Sequence, residues 1–133
     1  MRIFVKIGMV PLVLALSFGI ALAQFAKTED AIEYRKSVMQ VIKKHFGSMA
    51  SVVKGKTPYD QAAFLEDANV VAMLSKLPWE AFMVPGSTEG QTTLNEKALK
   101  DKEGFMYVAK RFQNHNGELP AASERGDMGK IKK

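Results

Sequence analysis

The segment Thr28–Gly55, TEDAIEYRKSVMQVIKKHFGSMASVVKG, decides the fold because its apolar residues recur with the period of an α-helix. A first stripe repeats at spacings of seven, three, four and three residues, all close to whole turns of a helix, and a second line of apolar residues widens it. The first stripe consists of Ile32, Met39, Ile42, Phe46 and Met49, and the second of Tyr34, Val38 and Val41. A stripe this wide predicts a helix that packs against two or more other helices in a bundle.

The first 23 residues have the three parts of a secretory signal peptide. Arg2 and Lys6 give a positive start, residues 7–20 form an apolar middle, and the A-L-A at residues 21–23 fits a cleavage site. The apolar run is short for a membrane span of about 20 residues, so a cleaved signal is favoured over a membrane anchor. The sequence therefore predicts export, with a signal at 1–23 and a domain at 24–133 that keeps no stable membrane anchor.

Composition limits what this domain can do. Residues 24–133 number 133 − 23 = 110, the size of one small domain. Without Arg2 and Lys6 the domain has 19 − 2 = 17 basic and 14 acidic residues, a net charge of +3, and the lysines are scattered. This pattern does not favour nucleic-acid binding. The chain has no cysteine, which excludes thiol catalysis, cysteine-ligated zinc and covalent haem attachment in the sequence as given.

Glycines and prolines divide the next part of the chain. The first helix is predicted to fray between Gly47 and Gly55. A second helix is predicted to begin at Thr57-Pro58, where Thr57 supplies a capping hydroxyl and Pro58 takes the first helical position. It is predicted to end before Pro78. Its inward stripe consists of Phe64, Ala68, Val71 and Leu74.

A third helix is predicted to begin after Asn95 and to stop at Asn116-Gly117, a stop that Pro120 reinforces. The tail SERGDMGKIKK, residues 123–133, is typical of the opening of a fourth helix. No segment alternates with a period of two, so no strand is predicted. The fold class is therefore all-α, a helical bundle whose last helix is largely missing.

The segment WEAFMVPGSTEGQTT, residues 79–93, has no sustained period and is predicted to be a loop or a short turn followed by a loop. It carries two large aromatic residues, Trp79 and Phe82. Aromatic residues in such a connection usually cover a core, which is the favoured interpretation, and the alternative is that they form the wall of a ligand pocket.

The chain has no motif that predicts an enzyme. His45 and His115 lie far apart without a second ligand at helical spacing, so solvent-facing histidines are favoured over metal ligands. A Ser-His-Asp order, a phosphate-binding glycine loop and an H-E-x-x-H motif are all absent from the sequence. The methionines lie mostly on apolar faces, where filling a core is favoured over ligation.

Several stretches together resemble cytochrome c prime, the class II c-type cytochromes. They are QFAKTEDAIEYRKSVMQVIKKHFGSMASVVKGKTPYD at 24–60, LSKLPWEAF at 74–82 and PGSTEG at 85–90, followed by the spacing from Phe105 to Phe112 and a late G-D step. These features come in the family's order along nearly the whole of 24–133. The resemblance implies an antiparallel four-helix bundle, of which the fourth helix is largely missing here.

The resemblance also implies a haem c cofactor inside the bundle. In the family, haem is attached through a C-x-x-C-H motif whose histidine holds the iron, and the motif's place would lie beyond Lys133. Covalent attachment is therefore not expected in this chain. The implied role is periplasmic electron transfer or binding of small gases such as NO and CO. The implied partners are these gases, redox proteins and a second copy bound through the first two helices.

Seven residues are candidates for the haem pocket by resemblance. Met39 would cover the distal face of the iron, and Arg35 and Lys36 would lie near the haem edge, where Arg35 would pair with a propionate. The cavity would be lined by Trp79, Phe82, Phe105 and Phe112, which otherwise form an ordinary core. The alternative function is a haem-free exported helical protein that binds a partner through the open apolar face.

Overall fold

The computed structural model describes residues 25–132, so the predicted signal peptide at 1–23 lies outside the described residues. The chain from 25 to 132 is helical and contains no strand. The helices are α1 (Thr28–Val53), α2 (Gln61–Leu74), α3 (Trp79–Phe82), α4 (Glu96–Lys100), α5 (Lys102–Glu124) and α6 (Met128–Ile131). None of the helices in this part of the chain is long and apolar enough to span a membrane.

Helix α1 does not fray after Gly47, so that prediction was wrong. The helix continues because Met49, which is 4 % exposed, is part of the core, and Val52 and Val53 pack against it. It ends at Val53, and Gly55, two residues later, has a φ of 70°, a left-handed conformation that glycine adopts without strain. The N–H groups of Gly55 and Lys56 donate to carbonyls in the last turn, which is the Schellman arrangement.

Helix α2 begins later than Thr57-Pro58. Its cap is Asp60, whose carboxylate accepts a hydrogen bond of 2.8 Å from the N–H of Ala63. The hydroxyl of Thr57 is instead 2.7 Å from the hydroxyl of Ser51 on α1. An acidic side chain next to the helix start also interacts favourably with the positive end of the helix dipole, which explains the correction.

The predicted third helix is two helices. Asn95 caps α4 as expected, by accepting a hydrogen bond from the N–H of Ala98. Asp101 then leaves the helical conformation, with ψ of 81°, and caps α5 by accepting a 2.8 Å hydrogen bond from the N–H of Gly104. A Cβ atom at Gly104 would collide with that carboxylate, so this glycine makes room for the cap.

Helix α5 passes through Asn116-Gly117 and Pro120, so the predicted stop was wrong. Pro120 removes one helical hydrogen bond, but buried side chains follow it at Ala122 and Ser123 and keep the helix on the core. The helix ends at Glu124, and Gly126, two residues later, has a φ of 63° in the same Schellman arrangement as at the end of α1. The short α6, Met128–Ile131, follows, whereas Ser123 and Glu124 of the predicted tail still belong to α5.

The long helices α1, α2 and α5 pack as antiparallel neighbours, with α2 between the other two. His45 on α1 meets Asp67 on α2, and the side chain of Gln61 at the start of α2 donates to the carbonyl of Glu124 at the end of α5. The core cluster consists of Val38, Ile42, Met49, Phe64, Ala68 and Val71. Two members of the predicted α1 stripes, Val41 and Phe46, are instead exposed, so the buried face is narrower than predicted.

Candidate functional site

Four aromatic side chains from α3 and α5 come together in one cluster. The Trp79 ring stacks on Phe82, with centroids 5.7 Å apart and an angle of 23° between the planes. Trp79 also meets Phe105 and Phe112 edge-on, with ring centroids 6.1 Å and 5.9 Å apart. The ring centroids of Phe82 and Phe105 are 5.3 Å apart. We call these four residues the aromatic cluster. All of the aromatic residues predicted to line a pocket therefore belong to one contiguous group.

Helix α3 holds Trp79 in place. Pro78 precedes it and is fully buried, and the indole Nε1–H donates a 2.6 Å hydrogen bond to the carbonyl of Ser75 at the end of α2. A buried indole N–H requires such a partner. The ring orientation is thus fixed by the junction between α2 and α3.

Arg35 is buried, with only 3 % of its surface exposed. Its hydrogen-bond acceptors are two backbone carbonyls and one hydroxyl, and none of them is a carboxylate. Its guanidinium donates to the carbonyls of Ala81, at 3.2 Å, and Ser87, and to the hydroxyl of Thr92, at 2.6 Å. Its Cζ also lies 5.1 Å from the centroid of the Phe82 ring, a cation–π distance. Burial lowers the pKa of Arg35, yet the ordinary pKa of arginine is so high that the side chain stays cationic at neutral pH.

Two more candidates lie beside Arg35 on α1. Lys36 is exposed and donates a 3.0 Å hydrogen bond to the carbonyl of Gln91. Met39, one turn after Arg35, is partly buried and packs against the core cluster. The structure therefore joins Arg35 to the aromatic cluster through Phe82, and Lys36 to the loop that follows α3.

Sequence reasoning missed the oxygen atoms that hold Arg35. Ser87 and Thr92 lie in a loop without periodicity, and no sequence signal marked their role. The sequence analysis also favoured a solvent-facing His45, whereas its Nδ1 lies 2.6 Å from the carboxylate of Asp67 and both side chains are about one-fifth exposed. This hydrogen bond joins α1 to α2. His115 is exposed, as predicted.

A second feature is an open groove of about 660 Å³ between α1, α5 and α6. Its floor and walls are mainly apolar, and the aromatic cluster borders it through Phe112. Charged and polar side chains at its margin are Arg111, His115, Glu118, Lys130 and Lys132. Within the described residues, no group of three or more histidine and acidic side chains is arranged to hold a metal ion.

An all-α antiparallel bundle with an aromatic cluster at one end defines the class of small helical-bundle proteins. Comparison with known proteins narrows the class, because a sequence model of the family described as "Cytochrome C'" matches residues 30–133. The chain belongs to the cytochrome c' family, whose members are c-type haem cytochromes with a four-helix-bundle fold.

Individual relatives agree with this assignment. The cytochrome c' of Alcaligenes xylosoxydans xylosoxydans is 39 % identical over 109 residues, which cover 82 % of this chain and 84 % of the relative. The solved cytochrome c prime of Shewanella frigidimarina is 39 % identical with a TM-score of 0.77, over 81 % of this chain and 84 % of that chain. A ferrous variant from Alcaligenes xylosoxidans with bound NO is 38 % identical with a TM-score of 0.71, over 82 % and 85 % of the two chains.

The residues present fit the apolar part of a haem site. The aromatic cluster supplies flat apolar surfaces, Met39 adds a polarizable side chain on α1, and Lys36 adds an exposed cation. The chain contains no cysteine for thioether attachment.

Proposed function

We propose that this chain is an exported haem protein that binds small gases such as NO and CO or transfers electrons to a redox partner in the periplasm. The observation that carries the proposal is the convergence of Trp79, Phe82, Phe105 and Phe112 on one site beside α1. Membership of the cytochrome c' family supports it, as does the bound NO of the Alcaligenes relative.

Each element of the site has a role in this proposal. Haem supplies the iron that changes oxidation state and binds the gas. The aromatic cluster excludes water and lowers the local dielectric, which favours an uncharged ligand over water. Met39 narrows access from α1, so that small diatomic ligands enter more readily than larger ones. Lys36 is the exposed cation on α1 available to a propionate.

Arg35 holds the shape of the site. Its guanidinium already donates to three oxygen atoms between residues 81 and 92, so its main role in the proposed site is to fix the Phe82 ring and the loop that follows. The sequence-based pairing of Arg35 with a propionate stays a prediction. It would require one of these hydrogen bonds to be exchanged for the carboxylate.

The test is reconstitution of the whole chain with haem. Ferric haem is added to the purified chain, the complex is reduced, and absorption spectra are recorded with and without CO. We expect a protein-bound Soret band that shifts with CO, and haem that is fully extractable by acid and organic solvent because the chain has no thiols. A Soret band identical to that of free haem would overturn the proposal.

Matched methionine variants test the gas-binding site. Met39→Ala should speed CO association and admit larger isocyanide ligands, because a side chain that narrows access is shortened. Met73→Ala is the control, since Met73 is 68 % exposed on the outer side of α2. Equal CO kinetics in both variants would remove Met39 from the site while leaving haem binding itself intact.

Export and self-association belong to the same proposal. Cell fractionation should recover the chain from the periplasm, starting at residue 24. The dimer expected through the first two helices, α1 and α2, should be detected by sedimentation at micromolar concentration. Recovery from the cytoplasm with Met1 retained would contradict the signal assignment.

A further inference from the structure

Helix α5 has two faces of different character. Its inner face carries Phe105 and Phe112 of the aromatic cluster and the buried Ala109. Tyr107 lies on the opposite face with 65 % of its surface exposed, and Met106 beside it is 43 % exposed. Neither of these two residues lines the groove between α1, α5 and α6. Two large side chains are therefore exposed to solvent on a surface that is separate from the groove.

The ring of Tyr107 is in contact with an arginine on the same face. Arg111 follows Tyr107 by four residues, a spacing that brings two side chains together on a helix. The Cζ atom of Arg111 lies 5.9 Å from the centroid of the Tyr107 ring, a cation–π distance. Because this contact already restricts both side chains, less conformational entropy is lost when a partner packs against them.

Cations surround this stacked pair. Residues 96–111 contain five basic and three acidic residues, a net charge of 5 − 3 = +2, which is most of the +3 of residues 24–133. Helix α4 packs against α5, so its cations belong to the same surface. The five basic residues are all exposed and are Lys97, Lys100, Lys102, Lys110 and Arg111. The surface is therefore complementary to a partner that presents carboxylates.

We call Met106, Tyr107, Lys110 and Arg111 the α5 patch. Tyrosine, methionine and arginine are enriched in protein–protein interfaces, and tyrosine and arginine are common among the residues that dominate binding energy. A helix that lies on a membrane instead buries a long apolar stripe. The exposed face of α5 continues from the α5 patch through Asn114 and Gly117, which are not apolar anchors. The composition thus favours a protein partner over a membrane.

We propose that the α5 patch docks an acidic protein, with the stacked Tyr107 and Arg111 as the anchor and the lysines as a charged rim. That this partner is a redox protein rests on the proposed function, whereas the docking itself requires no haem. Phe105 and Phe112 lie on the other side of the same helix, and a helix with its side chains is about 10–12 Å across. A partner docked here would be separated from the aromatic cluster by one helix.

The test is an NMR titration of the isotopically labelled whole chain, without haem, with a plant-type ferredoxin as the acidic probe. At about 20 mM salt we expect the amide signals of the α5 patch to shift and broaden, and those of Lys43 and Lys44 on α1 to stay unchanged. Binding should weaken severalfold at about 200 mM salt, because salt screens charges at an exposed interface. Phosphatidylglycerol vesicles are titrated in parallel as the membrane probe.

Matched variants separate the α5 patch from net charge. Tyr107→Ala should weaken ferredoxin binding at least about fivefold, and Tyr107→Phe should bind like the wild type because the ring remains. Lys110→Glu combined with Arg111→Glu should abolish the binding. Lys43→Glu combined with Lys44→Glu makes the same change in net charge at exposed positions of α1 and should weaken binding less than about twofold. Circular dichroism and urea titration check that each variant keeps its fold.

Each contrary result overturns the proposal at a different point. Absence of ferredoxin binding at low salt removes the docking site, and equal weakening by the two double charge reversals shows general attraction only. Unchanged binding by Tyr107→Ala removes the anchor. Vesicles that bind through the α5 patch more tightly than ferredoxin replace the protein partner with a membrane. If ferredoxin docks as expected but the chain does not bind haem, the docking site stands and the proposed function alone fails.

Discussion

Replacing Arg35 with alanine should destabilise the chain more than any change at its exposed neighbour Lys36. The Arg35 guanidinium donates to the carbonyls of Ala81 and Ser87 and to the hydroxyl of Thr92. After truncation these buried oxygen atoms lose their donor, and a space opens beside α1. The loop after α3 then loses its attachment to α1.

The magnitude follows from the hydrogen bonds. A hydrogen bond to a charged group contributes about 1.5–3 kcal/mol, and the two carbonyl partners of Arg35 alone give about 3–6 kcal/mol. Water that enters the truncated site recovers part of this, so we expect a loss of about 3–5 kcal/mol. The free energy of unfolding of a domain of this size is about 5–15 kcal/mol, so the expected loss is a large share of it. With a urea dependence of about 2 kcal/mol per M, the midpoint should fall by about 2 M.

Urea titration followed by circular dichroism and by Trp79 fluorescence measures this change. Arg35→Lys should recover part of the loss, because an ammonium keeps the charge but cannot reach three oxygen atoms in a planar fork. Lys36→Ala is the matched control. It removes one exposed hydrogen bond and should cost no more than about 0.5 kcal/mol. A midpoint for Arg35→Ala within about 0.3 M of the Lys36→Ala value would refute the reasoning.

Two other contacts give sharp expectations. A double-mutant cycle with His45→Ala and Asp67→Ala should show a coupling free energy of about 1 kcal/mol in urea titrations, because the pair is only partly exposed. A coupling free energy of zero would mean that the contact does not stabilise the packing of α1 on α2. A change from glycine to alanine normally stabilises a helix interior by about 1 kcal/mol. Gly104→Ala should instead lower the thermal midpoint, because the added Cβ displaces the Asp101 cap. In an Asp101→Ala background the same change should be stabilising. If Gly104→Ala stabilises both backgrounds, the cap does not depend on that glycine.

The long helices could be predicted because their signals are local and repeated. The period of α1 and the stripe Phe64, Ala68 and Val71 of α2 follow from side chains that must share one face, and the structure buries all three of these α2 residues. The predicted stop at Gly117 failed because a glycine ends a helix only where the chain also turns away from the core. The chain turns away at Gly126, which has a left-handed conformation. The end of α5 could not be predicted from the sequence, because it depends on the burial of Ala122 in the core.

The candidate site was predictable in part. The four aromatic residues were selected by resemblance, and the structure does bring them together, which periodicity alone could not have shown for Trp79 and Phe82 in an irregular segment. The burial of Arg35 was not predicted, since arginine on a helix is ordinarily solvated. Its partners are two backbone carbonyls and one hydroxyl. Every residue has a backbone carbonyl, so the sequence does not indicate which carbonyls will bind Arg35.

The three long helices differ in length, and this difference creates the space that the aromatic cluster occupies. Helix α1 has 26 residues and α2 has 14, so α1 is longer by 12 residues, or about 18 Å at 1.5 Å per residue. Where α2 stops, a four-residue helix and a loop take over against α1. The two rings on this short element are held by individual contacts, the Trp79 N–H to the Ser75 carbonyl and Arg35 over Phe82, rather than by the packing of a long helix. The wall of the aromatic cluster that faces α1 therefore depends on the few contacts of one four-residue helix.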